Sequence, residues 1–540
     1  MAIPVSAPTL NNAKLAAHHS LRHNEMVKRT LPWLGLLAVV GLVVGLYRPA
    51  LDLELMGDDY QWLQLAHAAT HRPALLLADL DTFYRPLSTW TLVVDRALSG
   101  HDPAGYHLTN LLLHALAAAL LALAARRLAL PWPAALAVGL LWGTSPFTSE
   151  PALSVAIRFE DLLLLAWLGL VLAWPGRGSA WTRGRVAAVT ALALAALLAK
   201  ETWVVTPALV WLLDRAVRGA SARRALRAAG PFAAAAAVYS VVYFAAFPGG
   251  KSYFQLGPAP LAKLPHQLAA FLWLEQLRPI DLRLTVVGVA ALLIVVAALV
   301  AALRRDSAAA AVGAGLLVLP TLPTLFVPYL PTRYTAIPFA GFLLVVAGAL
   351  APLFAHRDRR LRVVARAGAT ALAAVVVAAG AFTARGDLAD YARVSDAHRR
   401  LLDQARAAAA VVGSGAPVAV IRAESNDPLR EIALSVRGLP KLFFPRPDDP
   451  DGLVDAAALF EWVLADEGTA VRRLDADPPT AAAGFVLVHG PTRFAAPVAA
   501  NDVAAAARAW RQRGAGARLI RAEQVDATPG LDRGTGASAP

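Results

Sequence analysis

The apolar positions of this chain fall in long uninterrupted blocks, without the alternation of a half-buried strand. Such blocks lie near residues 31–47, 109–125, 130–146, 161–175, 185–199, 202–213, 230–247, 284–303, 308–328, 334–355 and 367–383. Typical blocks run to about 17–22 residues, enough helix to cross ~30 Å of hydrocarbon. Lipid offers no partner for an exposed N–H or C=O, so a spanning block must satisfy its backbone internally, as an α-helix does. A membrane β-barrel would show shorter segments of alternating polarity. The pattern therefore predicts an α-helical polytopic membrane protein with about eleven spans. The block at 202–213 is short and needs tilt or a cytoplasmic extension to cross.

Loop charge orients this arrangement. Alternate loops carry Arg126 and Arg127; Arg177, Arg183 and Arg185; Arg215, Arg218, Arg223, Arg224 and Arg227; Arg304 and Arg305; and Arg357, Arg359, Arg360 and Arg362. With the spans above, all fall on one side, together with Lys14, Arg22, Lys28 and Arg29 of the N-terminal segment. The positive-inside rule makes that side cytoplasmic. An odd number of spans then puts the C-terminal part outside, whereas one span fewer would force the arginines onto outer loops. No small-residue cleavage site follows the first block, which reads as a retained span.

Composition agrees with this picture. Of 540 residues, 57% are hydrophobic and 16% charged, with mean hydropathy +0.51; soluble domains have about 25% charged residues. A net charge of +13 would suggest nucleic acid in a soluble protein. Here it is accounted for by the loop arginines, and no nucleic-acid partner is expected. The chain has no cysteine, which excludes disulfides, thiolate catalysis and Cys-ligated zinc. Abundant Ala and Arg without an organelle signal point to a bacterial inner membrane.

The expected organisation is a cytoplasmic segment (1–30), a membrane domain (31–383), a small extracytoplasmic α/β domain (384–526) and a disordered Gly/Ala/Pro-rich tail (527–540). In the α/β part, 417–421 and 484–488 read as strands, and 390–412 and 453–465 as helices. Two outer loops stand out. One covers 48–108. The other, 249–283, reads as an amphipathic interfacial segment through Leu261, Leu264, Leu268, Phe271, Leu272 and Leu274.

The residues able to carry chemistry gather on the outer side. Asp58 and Asp59 lie adjacent in the first outer loop, where one can act as a base while the other orients it or binds an ion; a helix cap is the alternative. Tyr84-Arg85-Pro86-Leu87 and Gly105-Tyr106-His107 follow in the same loop. Arg, Tyr and His at a membrane face suit a phosphate or a sugar, or else anchor the interface. Glu150, Arg158, Glu160 and Asp161 are compressed between two apolar blocks, either facing a cavity or pairing among themselves. Lys200-Glu201 and Arg333-Tyr334 flank later blocks, with an anionic phosphate or the neighbouring Glu201 as the alternative partners of Lys200. There is no Walker sequence, no Gly-rich dinucleotide loop and no His-Glu-x-x-His.

The order of these segments resembles a known family. Asp58-Asp59, Tyr84-Arg85-Pro86-Leu87 and Gly105-Tyr106-His107-Leu108-Thr109-Asn110 through His114 are similar to GT-C type membrane glycosyltransferases. The nearest flavour is the protein O-mannosyltransferase-like group that includes the transmembrane-and-tetratricopeptide enzymes. Pro146 to Glu150, Arg158 to Leu163, Lys200-Glu201-Thr202, and Arg333-Tyr334 with Pro338 and Gly341 keep that order, so the likeness covers about 50–345. It departs from the group in lacking tetratricopeptide repeats, in Ser145-Pro146 where His-Pro is usual, and in one inserted residue in Arg158-Phe159-Glu160-Asp161.

The resemblance implies sugar transfer, with inversion, from a polyprenyl-phosphate sugar to a protein, lipid or glycan acceptor on the outer face. Asp58 or Asp59 would be the catalytic base. Arg158, Lys200, Arg333, His107, Tyr84 and Arg85 would hold the donor phosphate, and Glu150, Asp161 and Glu201 would position the acceptor or an ion. It fixes no cofactor, since some relatives use a divalent metal ion and others do not. The rival readings are a lipid or polysaccharide transporter or flippase, and a non-catalytic member serving envelope assembly. A transporter would place charges near the midplane of its spans, whereas these ionisable residues collect at one face.

Overall fold

In the computed structural model, the apolar blocks fold as helices. The structure describes residues 30–56, 58–77, 83–246, 265, 267–268, 271, 282–324, 332–354, 357–412, 418–421, 471–473 and 485–488. Helix α1 covers 30–47 and tightens into a 3-10 turn at Arg48–Asp52. Two helices, α2 (Asp58–His71) and α3 (Pro86–Ser99), precede α4 (Pro103–Arg127). After α5 (Trp132–Gly143) comes a short α6 (Ser149–Leu153), then α7 (Phe159–Ala173), α8 (Arg183–Ala199), α9 (Thr206–Ala216) and α10 (Ala222–Ala246). The remaining helices are α11 (Leu282–Leu303), α12 (Ala308–Val318), α13 (Ala336–Phe354) and α14 (Arg359–Val412).

Local chemistry sets many of these boundaries. Helix α3 starts on Pro86 at its first position, where the missing N–H is no loss, and stops at Gly100, whose φ of 58° suits a residue without Cβ. Helix α4 also starts on a proline, and Asp102 caps it by accepting from the Ala104 amide. Thr182 and Ser307 cap α8 and α12 by accepting from Arg185 and Ala310.

Five helices, at Thr30–Asp52, Pro103–Arg127, Ala222–Ala245, Arg333–Phe354 and Arg359–Arg393, are each long and apolar enough to cross a membrane. The chain is a multi-pass membrane protein. Helices α4 and α13 are central, with 56% of their apolar windows buried, while α14 buries 6% of its own. Helix α4 packs on α5 and α7, α7 on α8, α9 on α10, and α12 on α13. The α12–α13 contact depends on small residues. A Cβ on Gly341 would lie 2.2 Å from the Leu317 nitrogen and 2.5 Å from the Gly313 oxygen.

Two elements differ from expectation. The block at 308–328 is interrupted: α12 ends at Val318, a short turn covers Thr321–Thr324, and 325–330 lie outside the described residues. Pro320 and Pro323 remove the amides a continuous helix would need. Conversely, the last span and the helix expected at 390–412 form one 54-residue α14. No proline intervenes between Pro352 and Pro417, so nothing in the chain stops the helix.

Beyond α14, β1 (Val418–Ile421), β2 (Val471–Arg473) and β3 (Phe485–Val488) form a parallel sheet in the order β2-β1-β3. Val418 is in register with both Val471 and Phe485. The expected helix at 453–465 and the tail at 527–540 lie outside the described residues. So does most of 249–283, but its Leu268 and Phe271 are buried, and Phe271 packs edge-on against Phe147 and at a tilt against Phe339.

Candidate active site

One end of the bundle collects polar side chains from five parts of the sequence. Pro86 fixes the start of α3 and leaves Arg85 just outside it. The Arg85 Nε lies 3.2 and 3.3 Å from the two Glu201 oxygens, and its Nη2 donates to Oε2 at 3.2 Å. Glu201 also accepts from the Tyr84 amide at 3.1 Å. The Arg85 guanidinium lies 3.7 Å above the Phe159 ring and 4.4 Å from the Phe83 ring, a favourable place for a desolvated cation. The first loop is thus joined to the α8–α9 connection and to the start of α7.

Lys200 does not pair with its neighbour Glu201. Its ammonium donates to Glu160 in the first turn of α7. It also lies 4.6 Å from the Tyr334 ring and 5.4 Å from the Phe159 ring. Glu150 receives both the backbone amide of Arg333, at 2.7 Å, and its Nη1, at 3.0 Å. Arg333 lies 5.8 Å from the same Tyr334 ring that Lys200 faces. Lys200 and Arg85 therefore share Phe159, and Lys200 and Arg333 share Tyr334.

Burial raises the Glu150 carboxyl above the usual carboxylate range, with Arg333 opposing. It likewise lowers the Lys200 ammonium, with Glu160 opposing. The compressed acids and bases at 150–161 do not pair among themselves: each reaches a partner on another element.

Arg158 is fully buried and already occupied. It donates from Nε to Asn110 (2.9 Å), from Nη1 to Thr91 (3.2 Å) and to Asp95, and from Nη2 to the Tyr106 carbonyl (3.1 Å). Asp95 takes a further bond from Thr109 at 2.6 Å. These contacts tie α3, α4 and the α6–α7 turn together.

Asp59 is equally engaged. One oxygen accepts from the Ala156 amide (2.6 Å) and the Ser154 hydroxyl (3.2 Å), and the other from the Met56 amide (3.0 Å). It is wholly buried and holds the start of α2 against the 154–156 turn. The side chain of Asp58 lies outside the described residues, though its backbone opens α2 at this end. His107 is buried on α4, and neither ring nitrogen makes a hydrogen bond of normal geometry among the described residues.

Asp161 faces away from Lys200 and Glu150. Its Oδ2 meets His114 Nδ1 at 3.1 Å, inside the bundle, with Trp142 against the imidazole at 4.7 Å. The sequence assigns no site role to Asp95, Asn110 or His114, and marks Glu160 only as one of the compressed acids and bases. A signal existed for two of them: His107, Asn110 and His114 are spaced by three and four, one stripe of a helix. Among the described residues, no group of three or more His, Asp or Glu side chains is placed to hold a metal ion.

Comparison with known proteins adds one sequence relative. No family model matches the chain. A stretch of it is similar to a protein O-mannosyl-transferase. That relative is Tmtc1 of Drosophila melanogaster, 31% identical over 131 residues, which are 24% of this chain. The matched stretch spans 15% of Tmtc1's length. Two solved structures of ArnT from Cupriavidus metallidurans are distantly similar in shape. The one bound to undecaprenyl phosphate has 16% identity and a TM-score of 0.46, covering 81% of this chain and 89% of ArnT. The apo form has 14% identity and a TM-score of 0.47, covering 82% and 90%.

Proposed function

We propose that this protein is a GT-C type membrane glycosyltransferase that moves a sugar from a polyprenyl-phosphate donor to an acceptor hydroxyl on the outer face. The observation that carries the reading is the joining of Arg85, Lys200 and Arg333 around Phe159 and Tyr334. Three cations at one membrane face match the needs of a departing phosphate, whose charge grows as the glycosidic bond breaks. The similarity to Tmtc1 and the ordered motifs of residues 50–345 support the same reading.

In this mechanism Asp58 takes the proton of the acceptor hydroxyl. The acceptor oxygen attacks the anomeric carbon, the carbon–oxygen bond to phosphate breaks, and the electron pair leaves with the polyprenyl phosphate. A single displacement inverts the anomeric centre. Asp59 holds the loop, because its oxygens already accept three hydrogen bonds in a buried position. Arg158 holds the frame, because its donors are taken by Asn110, Thr91, Asp95 and Tyr106. The phosphate falls to Arg85, Lys200 and Arg333. Of their carboxylate partners, Glu201 is the most accessible, at 21% exposed, so the Arg85–Glu201 pair is the first to reopen for an anion.

We propose as well that the membrane domain has about eleven spans, with the N-terminus in the cytoplasm and the chain beyond the last span outside. The test is release of polyprenyl phosphate from radiolabelled polyprenyl-phosphate mannose, arabinose or glucose by purified protein. Asp58→Asn is expected to lower turnover by ~10²–10⁴-fold, the usual worth of a general base. Equal turnover in wild type and Asp58→Asn would remove Asp58 from the chemistry.

A further inference from the structure

The last helix does not end where its apolar stretch ends. Its outer part lies across the loop end of the bundle and touches three of the segments that build the site. Asp387 is 7% exposed and accepts from the Ser149 hydroxyl at 2.7 Å, at the residue immediately before Glu150. Ser395 accepts from the Glu54 amide at 2.7 Å, and Arg399 donates to the Asp52 carbonyl at 2.8 Å. Both of those contacts hold the strand of chain that leads into Asp58 and Asp59. Tyr391, between Asp387 and Ser395 on the helix, is buried. At the membrane side, Gly380 brings the helix backbone against the 144–145 turn: a Cβ there would lie 3.0 Å from the Thr144 oxygen.

The contacts at residues 387, 395 and 399 are eight and four residues apart, on one face of a continuous helix. They reach residues 238 to 347 positions away in sequence. A helix held in this way cannot drift independently of the site. From this we infer that the outer part of α14 is a built-in wall of the site, and that Asp387 is a positioning residue acting through Ser149 on Glu150. Glu150 in turn sets the backbone and guanidinium of Arg333. The inference rests on the transferase reading only for its catalytic consequence, since the docking of α14 stands on its own contacts.

A double-mutant cycle tests the positioning role. Asp387→Ala and Ser149→Ala should each lower kcat roughly tenfold, the scale of one buried hydrogen bond, and leave the donor KM within about twofold. The double variant should lose clearly less than the two single losses combined, because the contact the side chains share is removed only once. Asp387→Asn keeps an oxygen that accepts from Ser149 and should restore most of the rate. Additive losses, or full activity in Asp387→Ala, would overturn the role. A second measurement reads docking without activity. The chain has no cysteine, so Glu54→Cys/Ser395→Cys can be joined by a short bifunctional thiol reagent in native membranes. Efficient cross-linking with turnover retained supports a fixed wall; failure to cross-link, or loss of turnover on cross-linking, overturns it. If the wild type turns over no donor, the transferase reading and the positioning role fall together, and the cross-link alone decides whether α14 is docked.

Discussion

At the scale of single residues, each cation near the site is met by a carboxylate from a distant part of the chain. Lys200 and Glu160 are both buried, so removing one leaves the other as an unpaired charge away from water. Glu160→Ala should destabilise the fold by about 3–5 kcal/mol, whereas Lys200→Met/Glu160→Leu should recover most of that loss. Thermal unfolding in detergent measures both, and a full loss in the double variant would mean the pair holds the fold by more than its charges. Arg158 makes a sharper case. A lysine keeps the charge but cannot span Asn110, Thr91, Asp95 and the Tyr106 carbonyl from one ammonium. Arg158→Lys is expected to cost about 1.5–3 kcal/mol for the lost charged hydrogen bonds, seen as a smaller monodisperse peak on size exclusion; wild-type behaviour would argue that water replaces them.

At the scale of elements, helix packing depends on glycines that no charge pattern marks. Helices α12 and α13 cross where Gly313 faces Gly341, so close that a Cβ on Gly341 overlaps backbone atoms of α12. Backbone atoms cannot turn aside as a side chain can. Gly341→Val should therefore destabilise by about 1–3 kcal/mol or more, while Gly368→Ala on α14, with open space around it, should be tolerated. Paired thermal melts decide this, and equal transitions would show that the helices slide apart at no cost. The turn that carries Arg333 and Tyr334, just before α13, is held by Trp142 Nε1 of α5 donating to the Ala336 carbonyl at 2.8 Å.

At the scale of the whole molecule, the orientation proposed from the loop arginines is testable because the chain lacks cysteine. Arg72→Cys, in the first loop, should react with a membrane-impermeant maleimide added to intact spheroplasts. Arg183→Cys, between α7 and α8, should react only after lysis. Both positions are exposed, so access and not burial sets the outcome. The reverse labelling would invert the molecule and place the site on the cytoplasmic side.

The apolar blocks determined the helices, because a residue facing lipid or a packed core must be apolar and lipid leaves the backbone no alternative to helix. Proline and cap residues determined where several of them start. The ordered motifs brought Asp58, Tyr84, Arg85, Lys200 and Arg333 to attention before any contact was known. Partner choice was decided only by tertiary structure. Lys200 and Glu201 are adjacent in sequence, yet the turn between them sends one to Glu160 and the other to Arg85. Glu160 and Asp161 are adjacent as well, and the helical rotation of about 100° per residue turns one to Lys200 and the other to His114. Charge composition cannot say which of two neighbours faces which side, nor that a helix leaving the membrane would continue over the loops; those follow from how the helices pack.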